Sequence, residues 1–122
     1  MRTGEIVLRR DGSGIPVVAV SGEHDLNTAP DLRARLDEVI EQGGPVVIDL
    51  SPATFVDSSI LGAILGARRR AQGAGIGFAV AQGDGAAAVT RVLEITGLRD
   101  ELPVHDDVAS AGAALGNGKP AA

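Results

Sequence analysis

The chain has 122 residues, 44% of them hydrophobic, but only two are Phe and none is Trp or Tyr, so its core must be built from Val, Ile, Leu and Ala. A net charge of −5 argues against a nucleic-acid-binding face, which would have to be basic, and the absence of cysteine excludes disulfides and thiolate metal sites. The first residues lack the apolar stretch of a signal peptide and no apolar run approaches membrane-spanning length, so we expect a cytoplasmic, single-domain protein without membrane insertion.

Two strand-like runs open the chain, over residues 5–10 and 15–20. The residues between them, Asp11-Gly12-Ser13-Gly14, form a strong hairpin signal. We therefore expect the first two strands to be antiparallel neighbours.

A helical pattern follows, with Asn27 or Thr28 as its cap and Pro30 in its first turn. Its apolar positions recur at helical spacing, as a buried stripe would: Leu32, Leu36, Val39 and Ile40. The pair Gly43-Gly44 ends the helix.

The rest of the chain alternates strands and helices, which predicts an α/β fold with a mixed sheet covered by about four helices. In chain order we expect a strand over 46–50, a helix from the serine pair to about 72, a strand over 76–81, a helix over 86–95 closing on Gly97, and a short helix from Asp106 to about 115. Residues 1–115 are thus expected to form the domain and 116–122 a frayed tail.

Two hydroxyl groups, on Ser58 and Ser59, lie where the strand at 46–50 and its loop give way to the second long helical pattern. A serine at such a boundary is first of all an N-cap, because its oxygen accepts from the free N–H groups of the first turn. The same N–H groups and the positive end of the helix dipole also favour a phosphate. The position by itself is compatible with a structural role and with a modification site.

Small residues form a strip along this second helix, beside its apolar stripe of Ile60, Leu61, Ile64 and Leu65. The small-residue strip consists of Ser59, Gly62, Ala63, Gly66 and Ala67. Two glycines in one helix cost about 1 kcal/mol each relative to alanine, so another requirement must retain them. Either they let the helix pack closely against a neighbour inside the domain, or the strip is exposed and a partner protein lies on it.

Four motifs in this order resemble the STAS domain family, and within it the small stand-alone anti-sigma factor antagonists. They are Val20-Ser21-Gly22-Glu23-His24-Asp25 with Asn27-Thr28-Ala29, Val47-Ile48-Asp49-Leu50-Ser51, Phe55-Val56-Asp57-Ser58-Ser59 with Leu61-Gly62, and Val92-Leu93-Glu94-Ile95-Thr96-Gly97-Leu98. The resemblance covers roughly residues 5–115. One departure is Ile60, where the family usually has glycine after the serine pair; its β-branch stiffens the first helical turn.

The resemblance implies a STAS fold and a regulatory role without a cofactor. It implies that the unmodified chain binds an anti-sigma factor serine kinase, that this kinase phosphorylates Ser58, and that a serine phosphatase reverses the modification. Ser59 is then expected to cap the helix, and it is the alternative phosphorylation site. The expected partner-contacting residues are Glu23, Asp25, Asn27, Asp57, Ser59, Gly62, Ala63 and Gly66. Asp25 and Asp57 have a structural alternative as capping or turn-forming residues.

The sequence also bears on functions other than that of an antagonist. A hydrolase could be imagined from a serine of the pair with His24 or His105, but no Gly-x-Ser-x-Gly elbow is present, and we expect both histidines to be surface side chains of a protein that is not an enzyme. The histidines and carboxylates show no metal-ligand spacing. Two alternatives to the antagonist are a scaffold subunit of a transporter or signalling assembly, in which the serines only cap the helix, and a carrier of a small apolar ligand.

Overall fold

The structure, a computed structural model, describes residues 4–83, 91, 94, 97 and 102–115. Its strands are β1 Glu5–Arg10, β2 Pro16–His24, β3 Val46–Asp49, β4 Ala53–Val56, β5 Phe78–Ala81 and β6 Val104–His105. Its helices in these ranges are α1 Ala29–Glu41, α2 Ser58–Gly73 and α3 Val108–Ala114. Of the helix predicted over 86–95, only Arg91 and Glu94 are described, and both are helical; Gly97, predicted to close it, has a positive φ of 73°. The predicted tail at 116–122 lies outside the described residues. None of the described helices is both long enough and apolar enough to cross a membrane.

One mixed sheet organises the domain. Its strand order is β1-β2-β3-β5-β6, and β4 pairs with β2 outside this path. The strands β1 and β2 are antiparallel, as the hairpin signal predicted, and all other pairs are parallel. The predicted mixed α/β architecture is confirmed.

The second strand is longer than predicted because β4 pairs with its far end. The pairs there are Gly22 with Ala53, Glu23 with Phe55 and His24 with Val56. The sequence pattern predicts only a loop between the strand at 46–50 and the serine pair, so β4 is a difference from that prediction. This pairing carries the end of β2 to the residues that immediately precede α2, and it thereby positions the candidate site.

Two apolar clusters hold the sheet between its helices. The larger one lies between the sheet and helices α1 and α2, and its fully buried side chains include Leu32, Leu36, Ile48, Leu50, Ile60, Leu61 and Ile64. The smaller one lies under α3 and consists of Ile15, Val17, Val47, Ala79, Ala81 and Ala111. Aliphatic residues and alanine thus supply almost the whole core, as the composition required.

The start of α1 differs from the expectation in one respect. Thr28 occupies the N-cap position, but its hydroxyl does not cap the helix. It lies 3.0 Å from Nδ1 of His24 and accepts from the Asp25 N–H at 3.1 Å. The Thr28 side chain therefore fixes the loop before the helix instead of the helix itself.

The last described helix also begins differently. The sequence pattern predicts that it starts at Asp106, whereas Asp107 is its cap and accepts from the Ser110 N–H at 2.7 Å. Either of the two adjacent aspartates could cap the helix as far as the sequence shows. Only the backbone path decides which side chain reaches the free N–H groups of the first turn.

Candidate functional site

Asp57 caps helix α2. Its backbone is extended, with φ −102° and ψ −176°, and its Oδ1 accepts from the N–H groups of Ser59 at 3.0 Å and Ile60 at 3.3 Å. The Ser59 hydroxyl donates to the same oxygen at 2.5 Å. The expectation that Ser59 caps the helix is wrong, because Ser59 is already the second helical residue and a cap must precede the helix.

These hydrogen bonds favour the ionised form of Asp57. The Ser59 hydroxyl is the largest contributor that lowers the pKa of the Asp57 carboxyl, and the backbone N–H groups of Ile60, Ser59 and Leu26 add to it against a desolvation effect that raises the pKa. A fixed negative charge therefore lies beside the serine pair.

We expect Asp57→Ala to lower the free energy of unfolding by about 0.5–2 kcal/mol at neutral pH, the usual cost of a lost cap. Because the folded-state pKa is lowered, this contribution is present above the ordinary aspartate pKa of about 4 and is lost as the pH falls through the lowered value. Urea titrations of both proteins at several pH values measure the gap, which should shrink in acid. A gap that does not change with pH would contradict a role for the carboxylate charge.

The two serines occupy different environments. Ser58 is the first residue of α2, is exposed, and its hydroxyl makes no hydrogen bond to any described residue. Ser59 is half-buried and its hydroxyl is bound to Asp57. Only the Ser58 oxygen is free to react with a phosphoryl donor without first breaking an internal hydrogen bond.

The end of β2 and the loop that follows it place three of the expected contact residues on the surface. Glu23, Asp25 and Asn27 are all exposed. Asp25 also has the turn-forming role that the sequence left open, since its Oδ1 accepts from the Asn27 N–H at 2.9 Å. Because Glu23 pairs in register with Phe55 and His24 with Val56, this segment, the acidic loop, lies next to the start of α2.

His24 is a buried residue, not the surface side chain that we expected. It is 2% exposed. Its Nε2 lies 2.9 Å from the Ser21 carbonyl oxygen and its Nδ1 lies 3.0 Å from the Thr28 hydroxyl. Both ring nitrogens are thus engaged in holding the loop, and neither is available to activate Ser58 or Ser59.

The residues of the small-residue strip differ in their exposure. Ala67 is fully buried in the core, so it is not part of an exposed surface, and Ala63 is half-buried against the core. Gly62 is exposed, and no described atom lies within 4 Å of the position that a Cβ would take. At Gly66 a Cβ would meet only the Nη1 of Arg70, at 3.4 Å. Close packing inside the described part of the domain therefore does not explain either glycine.

A groove of about 400 Å³ runs between α1 and α2 beside this strip. It is lined by Leu26, Ala29, Pro30, Arg33, Ser59, Gly62 and Ala63. Leu26 is 71% exposed and is the most exposed large apolar side chain of the described residues. The sequence analysis missed Leu26 and Arg33, although a lone leucine inside the polar run Glu23-His24-Asp25-Leu26-Asn27 was a usable signal.

The chain matches the model of a known protein family. The STAS domain model matches residues 8–111. This chain belongs to the STAS domain family.

Individual relatives and solved structures are consistent with this family assignment. The STAS domain is 35% identical over 100 residues to an anti-sigma F factor antagonist of Paenibacillus polymyxa, covering 80% of this chain and 84% of the relative. A crystal structure of an anti-sigma factor antagonist from Mycobacterium paratuberculosis is 27% identical, with a TM-score of 0.78 over 92% of this chain and 93% of that one. The Bacillus cell fate determinant SpoIIAA in its phosphorylated form shares the fold at 20% identity, with a TM-score of 0.64 over 90% and 99% of the two chains.

Ile60, the departure from the family pattern, has a structural explanation in this STAS domain. Its side chain is fully buried in the larger apolar cluster. Its N–H group still donates to Asp57. The isoleucine therefore adds core packing beneath the first turn of α2 and exposes no apolar surface beside Ser58.

Proposed function

We propose that this STAS domain is an anti-sigma factor antagonist whose binding to a serine kinase is controlled by phosphorylation of Ser58. The observation that carries the proposal is the exposed Ser58 hydroxyl at the start of α2, which makes no hydrogen bond to any described residue. Its neighbour Ser59 lines the α1–α2 groove. The Paenibacillus polymyxa relative, named an anti-sigma F factor antagonist, supports the general role.

The unmodified surface around Ser58 suits a protein partner. It combines exposed carboxylates on Glu23 and Asp25 with an exposed Leu26 and with Gly62, where the described residues leave room for a partner's backbone to approach α2. Apolar area near a partner's contact centre supplies affinity, and charges at its rim supply orientation. In this proposal the unphosphorylated form sequesters the kinase, so that the sigma factor is free.

Phosphorylation of Ser58 would reverse this interaction through charge when the bound kinase presents carboxylates to this site or closes over it. A phosphoserine adds nearly two negative charges next to Asp57, and the complex would hold these charges together away from water. The helix end offers it little compensation, because Asp57 already accepts from the N–H groups of Ser59 and Ile60. A like-charge pair at about 5 Å in an effective dielectric of about 20 costs on the order of 3 kcal/mol, against roughly 0.3–1 kcal/mol returned by the helix dipole. A serine phosphatase would restore the binding form, and the cycle would take place in the cytoplasm.

The decisive experiment is phosphorylation in vitro. We expect incubation with the cognate anti-sigma factor kinase, ATP and magnesium to add one phosphate to Ser58, mapped by mass spectrometry. Ser58→Ala should abolish labelling while the circular dichroism spectrum stays unchanged, and Ser59→Ala should retain it. Labelling that survives Ser58→Ala and disappears in Ser59→Ala would assign the modification to the other serine. A kinase that binds but never modifies the chain would favour the scaffold alternative.

A further inference from the structure

Strand β1 has an open edge. It pairs with β2 on one side, and no strand of the described residues pairs with its other side. Two of its apolar side chains are largely uncovered, Val7 at 47% and Leu8 at 49% exposure. An edge strand with exposed apolar residues is a template for pairing with another chain.

The hairpin shows which backbone groups of β1 face outward. The Asp11 N–H donates to the Ile15 carbonyl at 3.0 Å, so this pair is hydrogen-bonded across the hairpin. In an antiparallel ladder hydrogen-bonded pairs alternate along the strand. With the observed register, every second residue from Asp11 backward directs its N–H and C=O toward β2. The residues between them, Ile6, Leu8 and Arg10, therefore direct theirs toward the open edge.

This alternation restricts how two copies of β1 can pair around a two-fold axis. A residue whose N–H and C=O face the open edge must pair with a residue of the same kind in the second copy. The two-fold axis therefore passes through a residue position and not midway between two adjacent positions. Centred on Val7, the pairs are Val7 with Val7, Ile6 with Leu8, and Glu5 with Arg9. Centring on Leu8 sets Val7 opposite Arg9, and centring on Ile6 sets Val7 opposite Glu5. Only the Val7 register matches apolar with apolar and acid with base.

We propose that a second copy of this chain pairs with this edge, antiparallel and centred on Val7, so that the two sheets become continuous. Charge complementarity argues for this occupant, because a single strand carries Glu5 at one end and Arg9 near the other. Arg9 lies on the same face of the sheet as Val7, because the two are two residues apart on β1, and its Nη2 is 3.2 Å from Asp49 Oδ2. The remaining guanidinium donors of Arg9 are available to Glu5 of the second copy.

The opposite face of β1 has room for the second copy's apolar side chains. Helix α1 leaves a groove of about 360 Å³ beside Ile6 and Leu8, which is also lined by Val18 and Val39. In the Val7 register, Leu8 of the second copy lies opposite Ile6 and next to this groove. The pairing would thus cover the exposed apolar residues on both faces of the strand. This surface is separate from the one around Ser58, so the inference does not depend on the kinase.

Cysteine cross-linking tests the register, because the chain contains no cysteine of its own. In the proposed pair the two Val7 Cα atoms are about 4.5 Å apart, within the range that a disulfide spans. The two Leu8 residues are offset by two positions and lie roughly 8–9 Å apart, which is too far. We expect Val7→Cys to form disulfide-linked dimers at least about tenfold faster than Leu8→Cys under the same mild oxidant. The two sites are matched in exposure, so equal rates, or faster linking at position 8, would overturn the proposal.

Sedimentation equilibrium of the unlinked full chain provides the second measurement. We expect the wild type to dimerise with increasing concentration and Glu5→Arg to weaken the dimer at least about tenfold, because it faces two like-charged pairs across the axis. Asp106→Arg changes the net charge equally but lies next to β6, at the opposite edge of the sheet, and should dimerise as the wild type does. A wild type that stays monomeric up to its solubility limit, or equal weakening by both substitutions, would refute the pairing.

Discussion

Ser58→Glu is expected to weaken binding of the anti-sigma factor kinase at least about tenfold, while Ser58→Ala binds about as well as the unmodified chain. The glutamate places one negative charge beside Asp57 instead of the nearly two of a phosphate, so its effect should be a fraction of the roughly hundredfold that 3 kcal/mol represents. Because Asp57 already accepts from the first N–H groups of α2, the new carboxylate finds no equivalent hydrogen bonds there. Isothermal titration calorimetry measures the affinities.

The matched control is Ser58→Gln, which has the size of glutamate without its charge. If electrostatic repulsion is the cause, Ser58→Gln should retain most of the affinity, and the loss in Ser58→Glu should diminish as salt is added. Equal weakening by Gln and Glu would identify steric exclusion as the cause instead. Equal affinity of Ser58→Glu and wild type would remove the negative charge as the switch.

Gly62→Arg is expected to weaken kinase binding at least about tenfold without lowering the melting temperature. Gly62 is exposed and has open space at its Cβ position, so the side chain can extend into solvent in the free protein. Replacing glycine inside a helix should even stabilise it, by up to about 1 kcal/mol. In a complex that brings a partner's backbone against α2, the same side chain would hold the two proteins apart.

Gly73→Arg is the control for this prediction. Gly73 is the last residue of the same helix, is exposed, and likewise has no described neighbour at its Cβ position. It lies four turns away from Ser58 along α2 and should not alter kinase affinity. Ala63→Arg is a poorer test, because Ala63 is half-buried against the core and arginine there would also reduce stability. A Gly62→Arg protein that binds the kinase normally would exclude this part of α2 from the contact surface.

Local sequence determined the elements whose stability depends on nearby residues. The hairpin followed from Asp11-Gly12-Ser13-Gly14, where Gly14 has the positive φ of 89° that glycine accepts most readily. The buried side of α1 followed from apolar residues at helical spacing. The order of the motifs was enough to recognise the family, because each motif is a short contiguous stretch.

Only the tertiary structure decided the features that depend on residues far apart in the chain or on the backbone path. The strand β4 forms because β2 offers it a partner about 30 residues earlier in the chain, which no local pattern in 53–56 records. Asp57, not Ser59, caps α2 because the helix begins one residue after the aspartate, and a shift of one position decides which oxygen reaches the free N–H groups. The burial of His24 and the exposure of Gly62 could not be predicted from the sequence either, since both depend on which neighbouring elements cover these residues. Sequence thus determined the family, the core and the position of the serine pair, and the backbone path that makes Asp57 the cap of α2 decided which serine is free, because the cap binds the Ser59 hydroxyl.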